Sequence, residues 1–161
     1  MMKSLPAHPR PQRGVTMIES LVALVILSVG MLGIAGLYVS GVKAGRSALL
    51  RTQAVNLASD MADRIRANRR AAIAYDMTTY AGEPEDQGCI NDACTAAELA
   101  EDDLFRWRAA TEAALPGRPL PVVNVEVEEL GVEDADRYTV TVTWHEAGDE
   151  QPSTYTLVVE V

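Results

Sequence analysis

The chain has 161 residues, with 14 basic and 23 acidic side chains, two cysteines and 5% aromatic residues. That length suits one globular domain plus one further element, with a core expected to be built mainly from Val, Leu, Ala and Ile. Residues 71–161 hold 20 acids against four arginines; a surface of that sign repels phosphate, which excludes nucleic-acid binding.

The first 13 residues carry Lys3, Arg10 and Arg13 and no acid. From Val15 to Val42 the only charge is Glu19, and Ser20–Val42 is an uncharged run of 23 residues. About 20 helical residues cross a hydrocarbon core of ~30 Å, so this run is long enough to span a membrane. A cleaved secretory signal has a shorter apolar region, about 7–15 residues, followed by a small-residue cleavage site. Here the basic-to-apolar junction falls at Gly14, before the run. Lysine and arginine flank both ends (Lys3, Arg10 and Arg13 against Lys43, Arg46 and Arg51), so counting them does not orient the helix. Glu19 is the anomaly. A carboxylate within a membrane segment costs roughly 2.5–3.5 kcal/mol on insertion scales.

The stretch Arg13–Gly14–Val15–Thr16–Met17–Ile18–Glu19 resembles the class III signal of type IV prepilins and pseudopilins. That pattern is a short basic leader, a Gly, an apolar residue, a Glu at the fifth mature position, and a long apolar helix. The resemblance implies cleavage between Gly14 and Val15 by prepilin peptidase, methylation of the new Val15 amine by the same enzyme, loss of the leader 1–14 and retention of the helix. Val15 stands where Phe is commonest in that family. At about 1.5 Å per residue, Glu19 lies 6–7 Å from Val15, near the membrane edge. There it can face the N-terminal amine of a neighbouring subunit, so Glu19 is read as a subunit-assembly residue rather than a catalytic one. Gly30, Gly33 and Gly36 fall within the span. They weaken a helix by roughly 0.8–1.0 kcal/mol each relative to Ala and allow close helix packing.

Beyond the span, Leu50, Ala54, Leu57, Met61 and Ile65 form one apolar stripe at helical spacing. No proline interrupts Val15–Ala72, which predicts one long helix with an apolar half (15–42) and an amphipathic half (43–72). Residues 73–161 are expected to form an extracytoplasmic globular body. Residues 73–100 read as irregular, punctuated by Gly82, Pro84 and Gly88. Within them Cys89 and Cys94 enclose four residues. Zinc needs about four ligands, and after leader loss only these cysteines and His145 remain. A structural Cys89–Cys94 disulfide outside the cytoplasm fits better, and it orients the body away from the cytosol. Glu83, Glu85, Asp86, Asn91 and Asp92 are oxygen-rich but lack EF-hand spacing, so they are read as a solvated acidic loop.

Ala100–Leu115 predicts a second helix, with a stripe of Leu104, Trp107, Ala110 and Ala114. Asp102 and Asp103 are expected near its start, where the helix dipole favours acids. Pro116–Pro121 ends it. Three alternating runs follow: Val123–Val125–Val127, Tyr138–Val140–Val142–Trp144, and Tyr155–Leu157–Val159–Val161. They predict an antiparallel meander with one face on the long helix.

The expected fold is therefore α+β and pilin-like: a long N-terminal helix packed on a small antiparallel sheet of three or four strands. The segments "RANRRAAIAYD", "LFRWRAATEAALPGR" and "YTVTVTW", with the small cysteine pair, resemble the PilV-type minor pilins. This resemblance implies a subunit that enters or primes a type IV pilus, with roles in twitching motility and adhesion. Implied partners are other major and minor pilins, prepilin peptidase, the pilus assembly platform and the inner membrane. The body is expected in the periplasm and then in the fibre at the cell surface. No metal and no cofactor is expected. A type II secretion pseudopilin shares every N-terminal feature. A membrane-tethered enzyme is the alternative of another class, but neither a G-x-S-x-G nor a G-x-x-x-x-G-K-[ST] pattern is present.

Overall fold

A computed structural model describes residues 14, 16–117, 120–132 and 135–161. The leader residues 1–13, the expected methylation point Val15, Arg118, Pro119, Glu133 and Asp134 lie outside the described residues. The described residues up to Ala44 form one compact unit and Gly45–Val161 the other.

Helix α1 spans Met17–Ala67. In the first unit it is exposed all round, with Leu24, Leu32, Leu37 and Tyr38 each more than half exposed. In the second unit it buries Leu50, Ala54, Ala58, Met61, Ala62 and Ile65. Leu57, expected in the stripe, is only partly buried at its rim. Ala58 and Ala62 take the centre, where a methyl group is all the space that close packing leaves.

The helix was expected to reach Ala72, and it stops at Ala67. Asn68 leaves the helical conformation and its Nδ2 donates to the Ala96 carbonyl at 2.8 Å. A 3-10 segment, Arg69–Tyr75, follows and is kinked at Ala72, whose φ is 42° and ψ −117°. The kink brings Tyr75 into the core, fully buried, where its hydroxyl donates to Asp103 Oδ2 at 2.9 Å. Burial pushes the Tyr75 hydroxyl well above its ordinary range, so it remains a donor. Helix propensity in "RRAA" thus yields to the burial of one tyrosine and the satisfaction of its hydroxyl.

A short 3-10 turn, Met77–Thr79, is capped by the Asp76 side chain, which accepts from Thr78 N at 2.9 Å. Helix α2 spans Ala96–Ala114, beginning four residues before the expected Ala100. Its start is set by a capping box: Thr95 Oγ1 accepts from Glu98 N at 3.3 Å, and Glu98 Oε2 accepts from Thr95 N at 2.8 Å. Asp102 and Asp103 therefore sit in the second turn, not at the start. The buried face is Ala100, Leu104, Trp107 and Thr111, whereas Ala110 and Ala114 are exposed. Thr111 replaces the expected alanines because its hydroxyl is satisfied by the Trp107 carbonyl at 2.9 Å. Trp107 Nε1 donates to the Leu57 carbonyl at 2.8 Å, which ties α2 to α1.

Strands β1 (Val122–Val132), β2 (Ala135–Trp144) and β3 (Ser153–Glu160) form a three-stranded antiparallel sheet in that order. The register aligns Val123–Val142–Tyr155, Val125–Val140–Leu157 and Val127–Tyr138–Val159 as three inward rows. These rows, α1 and α2 share one core. The core is mainly aliphatic, as expected, but its largest fully buried side chains are Trp107, Trp144, Tyr75 and Tyr138, so the few aromatics hold its centre. Gly117 ends the connection after α2 with φ 150°, and a Cβ there would lie 3.1 Å from His145 N. The close approach of the chain to the end of β2 requires glycine.

Ala72 holds the backbone of the first central residue of a type II′ turn, a glycine position. Such strain costs of order 1–3 kcal/mol, and glycine gives back about 0.5–1 through unfolded-state entropy. Ala72→Gly is expected to stabilise the body by about 1 kcal/mol, read as a higher midpoint in denaturant unfolding of the detergent-solubilised chain. A lower midpoint would contradict the strain.

Candidate functional site

The candidate site begins where α1 begins. Thr16 stands immediately before the helix, and its carbonyl accepts from Glu19 N at 3.1 Å and Ser20 N at 3.3 Å. Its Oγ1 also lies 3.4 Å from Glu19 N. Thr16-x-x-Glu19 is thus a helix-entry pattern, and Glu19 occupies the first turn, where the helix dipole favours an acid. This local role for Thr16 and Glu19 was missed in reading the sequence; the T-x-x-E spacing is the signal for it. The Glu19 side chain is exposed, as is Gly14.

Along the span an 18-residue window reaches a mean hydropathy of 2.4, and none of it is buried. By length and composition this helix can cross a membrane. Ser28 Oγ donates to the Leu24 carbonyl at 2.7 Å and Ser40 Oγ to the Gly36 carbonyl at 3.1 Å, so both hydroxyls are satisfied within the helix. A Cβ placed on Gly30, Gly33 or Gly36 would meet no atom within 4 Å. Nothing among the described residues demands small residues there.

In the body, Cys89 and Cys94 form a disulfide with a Cα–Cα distance of 5.6 Å. Gly88 opens this loop with φ 72°, and its carbonyl accepts from Asn91 N and Asp92 N at 3.0 and 3.2 Å. Glu83, Glu85, Asp86, Asn91 and Asp92 are all exposed, as a solvated loop requires, and two of these carboxylates also pair with arginines. Glu83 pairs with Arg108 at 2.6 Å, and Asp86 with Arg106 at 3.3 Å. Glu101 accepts from Glu85 N and Gln87 Nε2 at 3.2 and 2.9 Å, and Asp102 Oδ1 accepts from Gln87 N at 3.2 Å. The carboxylates of Glu83, Asp86, Glu101 and Asp102 are thus engaged by arginines and amides. Among the described residues no group of three or more His, Cys, Asp or Glu is placed to hold a metal ion. A recess of about 280 Å³ beside Met77, Pro84, Arg108 and Val122 contains the Arg108–Glu83 pair and no nucleophile with a base.

Residues 36–105 match the family model described as Type IV pilin Tt1218, the Tt1218-like family. Residues 9–35 match the Prokaryotic N-terminal methylation motif, which ends where the first match begins. Neither a curated protein nor a solved structure matches the chain. Together the two matches run from residue 9 to residue 105 and show that this part of the chain is similar to type IV pilins, a structural family. The methylation motif implies processing by prepilin peptidase and assembly into pili, and with the apolar helix it points to membrane anchoring.

Asp102 is the buried acid of the loop staple. Arg106 Nε, 2.6 Å from Oδ2, holds its carboxyl below the usual carboxylate range against the opposing effect of burial. A carboxylate with a depressed folded pKa contributes stability above its unfolded pKa, about 3.9, and loses it as pH falls through the folded value. Asp102→Asn is expected to lower stability at neutral pH by about 1–3 kcal/mol and to flatten the stability loss below about pH 4. Unfolding midpoints measured across pH 2–7 would show both; an unchanged acid slope would remove Asp102 from this role.

Proposed function

We propose that this chain is a minor pilin of the PilV type, incorporated into a type IV pilus or priming its assembly. The observation that carries the reading is the helix from Met17 to Val42, apolar, free of charge after Glu19 and covered by none of the described residues. Exposed apolar surface on this scale needs lipid before assembly and neighbouring helices after it. The chain supplies one helix for both environments, and the glycines at positions 30, 33 and 36 permit close approach of neighbours.

In this reading prepilin peptidase cuts between Gly14 and Val15 and methylates the Val15 amine. The Glu19 carboxylate then compensates the amine of an adjacent subunit. The chain inserts once in the inner membrane, and the disulfide-bearing body Gly45–Val161 lies in the periplasm and later on the fibre surface. Other major and minor pilins and the assembly platform are its partners. Co-purification with sheared pili tests this assignment; recovery instead with a type II secretion pseudopilus would transfer the same subunit to that machine.

Intact mass of the membrane-extracted protein is expected to correspond to residues 15–161 plus one methyl group. A chain that retains Met1, or one that begins beyond Val42, would remove the basis for assembly through this helix.

Glu19→Ala leaves the leader and Gly14 intact, so insertion and cleavage are expected to proceed, with insertion eased by up to ~3 kcal/mol. Assembly is expected to fail, because breaking a buried charge pair costs about 3–5 kcal/mol. Processed protein should accumulate in the inner membrane and be depleted from the sheared fraction, as read by immunoblotting of both pools. Incorporation of the Ala variant at the wild-type level would leave Glu19 with its helix-entry role alone.

A further inference from the structure

The disulfide lies next to the polar contact between the end of α1 and the start of α2. Cys94 is followed by Thr95, the N-cap of α2, and then by Ala96, whose carbonyl accepts from Asn68 Nδ2 at 2.8 Å. Asn68 is the first residue beyond α1, and the 3-10 segment after it contains the strained Ala72. On the other side of the disulfide, residues 85–88 are fixed to α2: Glu101 and Asp102 accept from the amides of Glu85 and Gln87. Cys89–Cys94 therefore closes a covalent ring between a loop already held by α2 and the cap of α2 itself. The residues released if this anchor fails, Arg69–Ala72, include two arginines and two alanines, good helix formers that stop short of a helix only under tertiary constraint.

We propose that the Cys89–Cys94 disulfide is a redox-sensitive latch that holds the end of α1 in its broken form. With the disulfide closed, Ala96 presents its carbonyl to Asn68 and the kink is kept. A dithiol reductant opens the latch. Its thiolate attacks one cysteine sulfur and the other cysteine leaves as thiolate. The reductant's second thiol then closes into its own disulfide, and Cys89 and Cys94 take up the two protons. The first turn of α2 then frays, Asn68 loses its acceptor, and Arg69–Ala72 relax toward the helical period of α1. The change stops there, because Asp103 still holds Arg64 at 2.8 Å and Tyr75 at 2.9 Å. A still reduced subunit thus differs from an oxidised one where the chain leaves the C-terminal end of α1, within the body. This inference uses only the fold of the body and does not depend on the chain's place in a pilus.

The test is nuclear magnetic resonance on the full chain in detergent micelles, oxidised and after reduction by a dithiol, with Cys89→Ser/Cys94→Ser as the fixed open form. In the open forms the Cα shifts of Arg69–Ala72 are expected to move to helical values. The amides of Glu98 and Leu99 should exchange about tenfold faster, while Val140 and Val142 in the central strand stay protected. Asn68→Ala, with the disulfide intact, is expected to reproduce the shift at Arg69–Ala72 without faster exchange at Leu99. Unchanged shifts at Arg69–Ala72 in the reduced protein would overturn the latch. So would an equal loss of protection at Val140, which would indicate general destabilisation, or an Asn68→Ala spectrum identical to wild type there.

Discussion

One helix serves two unlike surroundings, and the rest of the protein follows from that constraint. Up to Ala44, α1 shows apolar side chains on every side and buries none of them in its own chain. From Gly45 onward the same helix keeps a single stripe, Leu50–Ala54–Ala58–Met61–Ala62–Ile65, and covers it with sheet and α2. Apolar area is favourable only when removed from water, at about 25 cal/mol per Å². The second part meets that demand within the chain. The first leaves it to lipid or to other subunits. The satisfied hydroxyls of Ser28 and Ser40 and the absence of charge between Glu19 and Lys43 keep that first part compatible with either medium.

The body solves a second problem, an excess of acid. Among the described residues many of its carboxylates act as acceptors for its own arginines and amides. Arg106 takes Asp86 and Asp102, Arg108 takes Glu83 and Glu112, and Arg137 bridges Glu128 and Glu160 across the sheet. Exposed pairs of this kind contribute little individually, with a median of roughly 0–1 kcal/mol. Asp102 and Asp103 differ because they are shielded from water and each holds more than one group. They bind the disulfide loop and the end of α1 to α2, so α2 is the element through which the irregular segments are fixed. Edge charges on the sheet, Glu128 and Glu160, also discourage uncontrolled strand pairing.

The length and chemistry of the N-terminal segment, the alternation of the three strands and the existence of two helices were legible in the sequence. Each rests on a local period or on a composition that holds whatever the neighbours do. Val123, Val125, Tyr138, Val140, Val142 and Trp144 point inward as period 2 requires. The start of α2 was also written locally, in Thr95-x-x-Glu98, and so was the entry to α1, in Thr16-x-x-Glu19. Both were missed because apolar periodicity was given more weight than capping.

The sequence by itself determined the apolar and amphipathic halves of α1, the meander and the prepilin-like junction, because hydrophobic spacing and chain composition act over a few residues. Only the tertiary structure decided where α1 ends, which face α2 buries, and what the acidic loop does. At Asn68 the helix yields because a distant carbonyl, that of Ala96, and the burial of Tyr75 outweigh the local propensity of "RRAA". At Thr111 a polar residue enters the core because its hydroxyl finds the carbonyl one turn back. Glu83 and Asp86 become ion-pair partners because α2 brings Arg108 and Arg106 alongside them. In each case the deciding energy comes from a partner many residues away or from a cavity that only the assembled core defines.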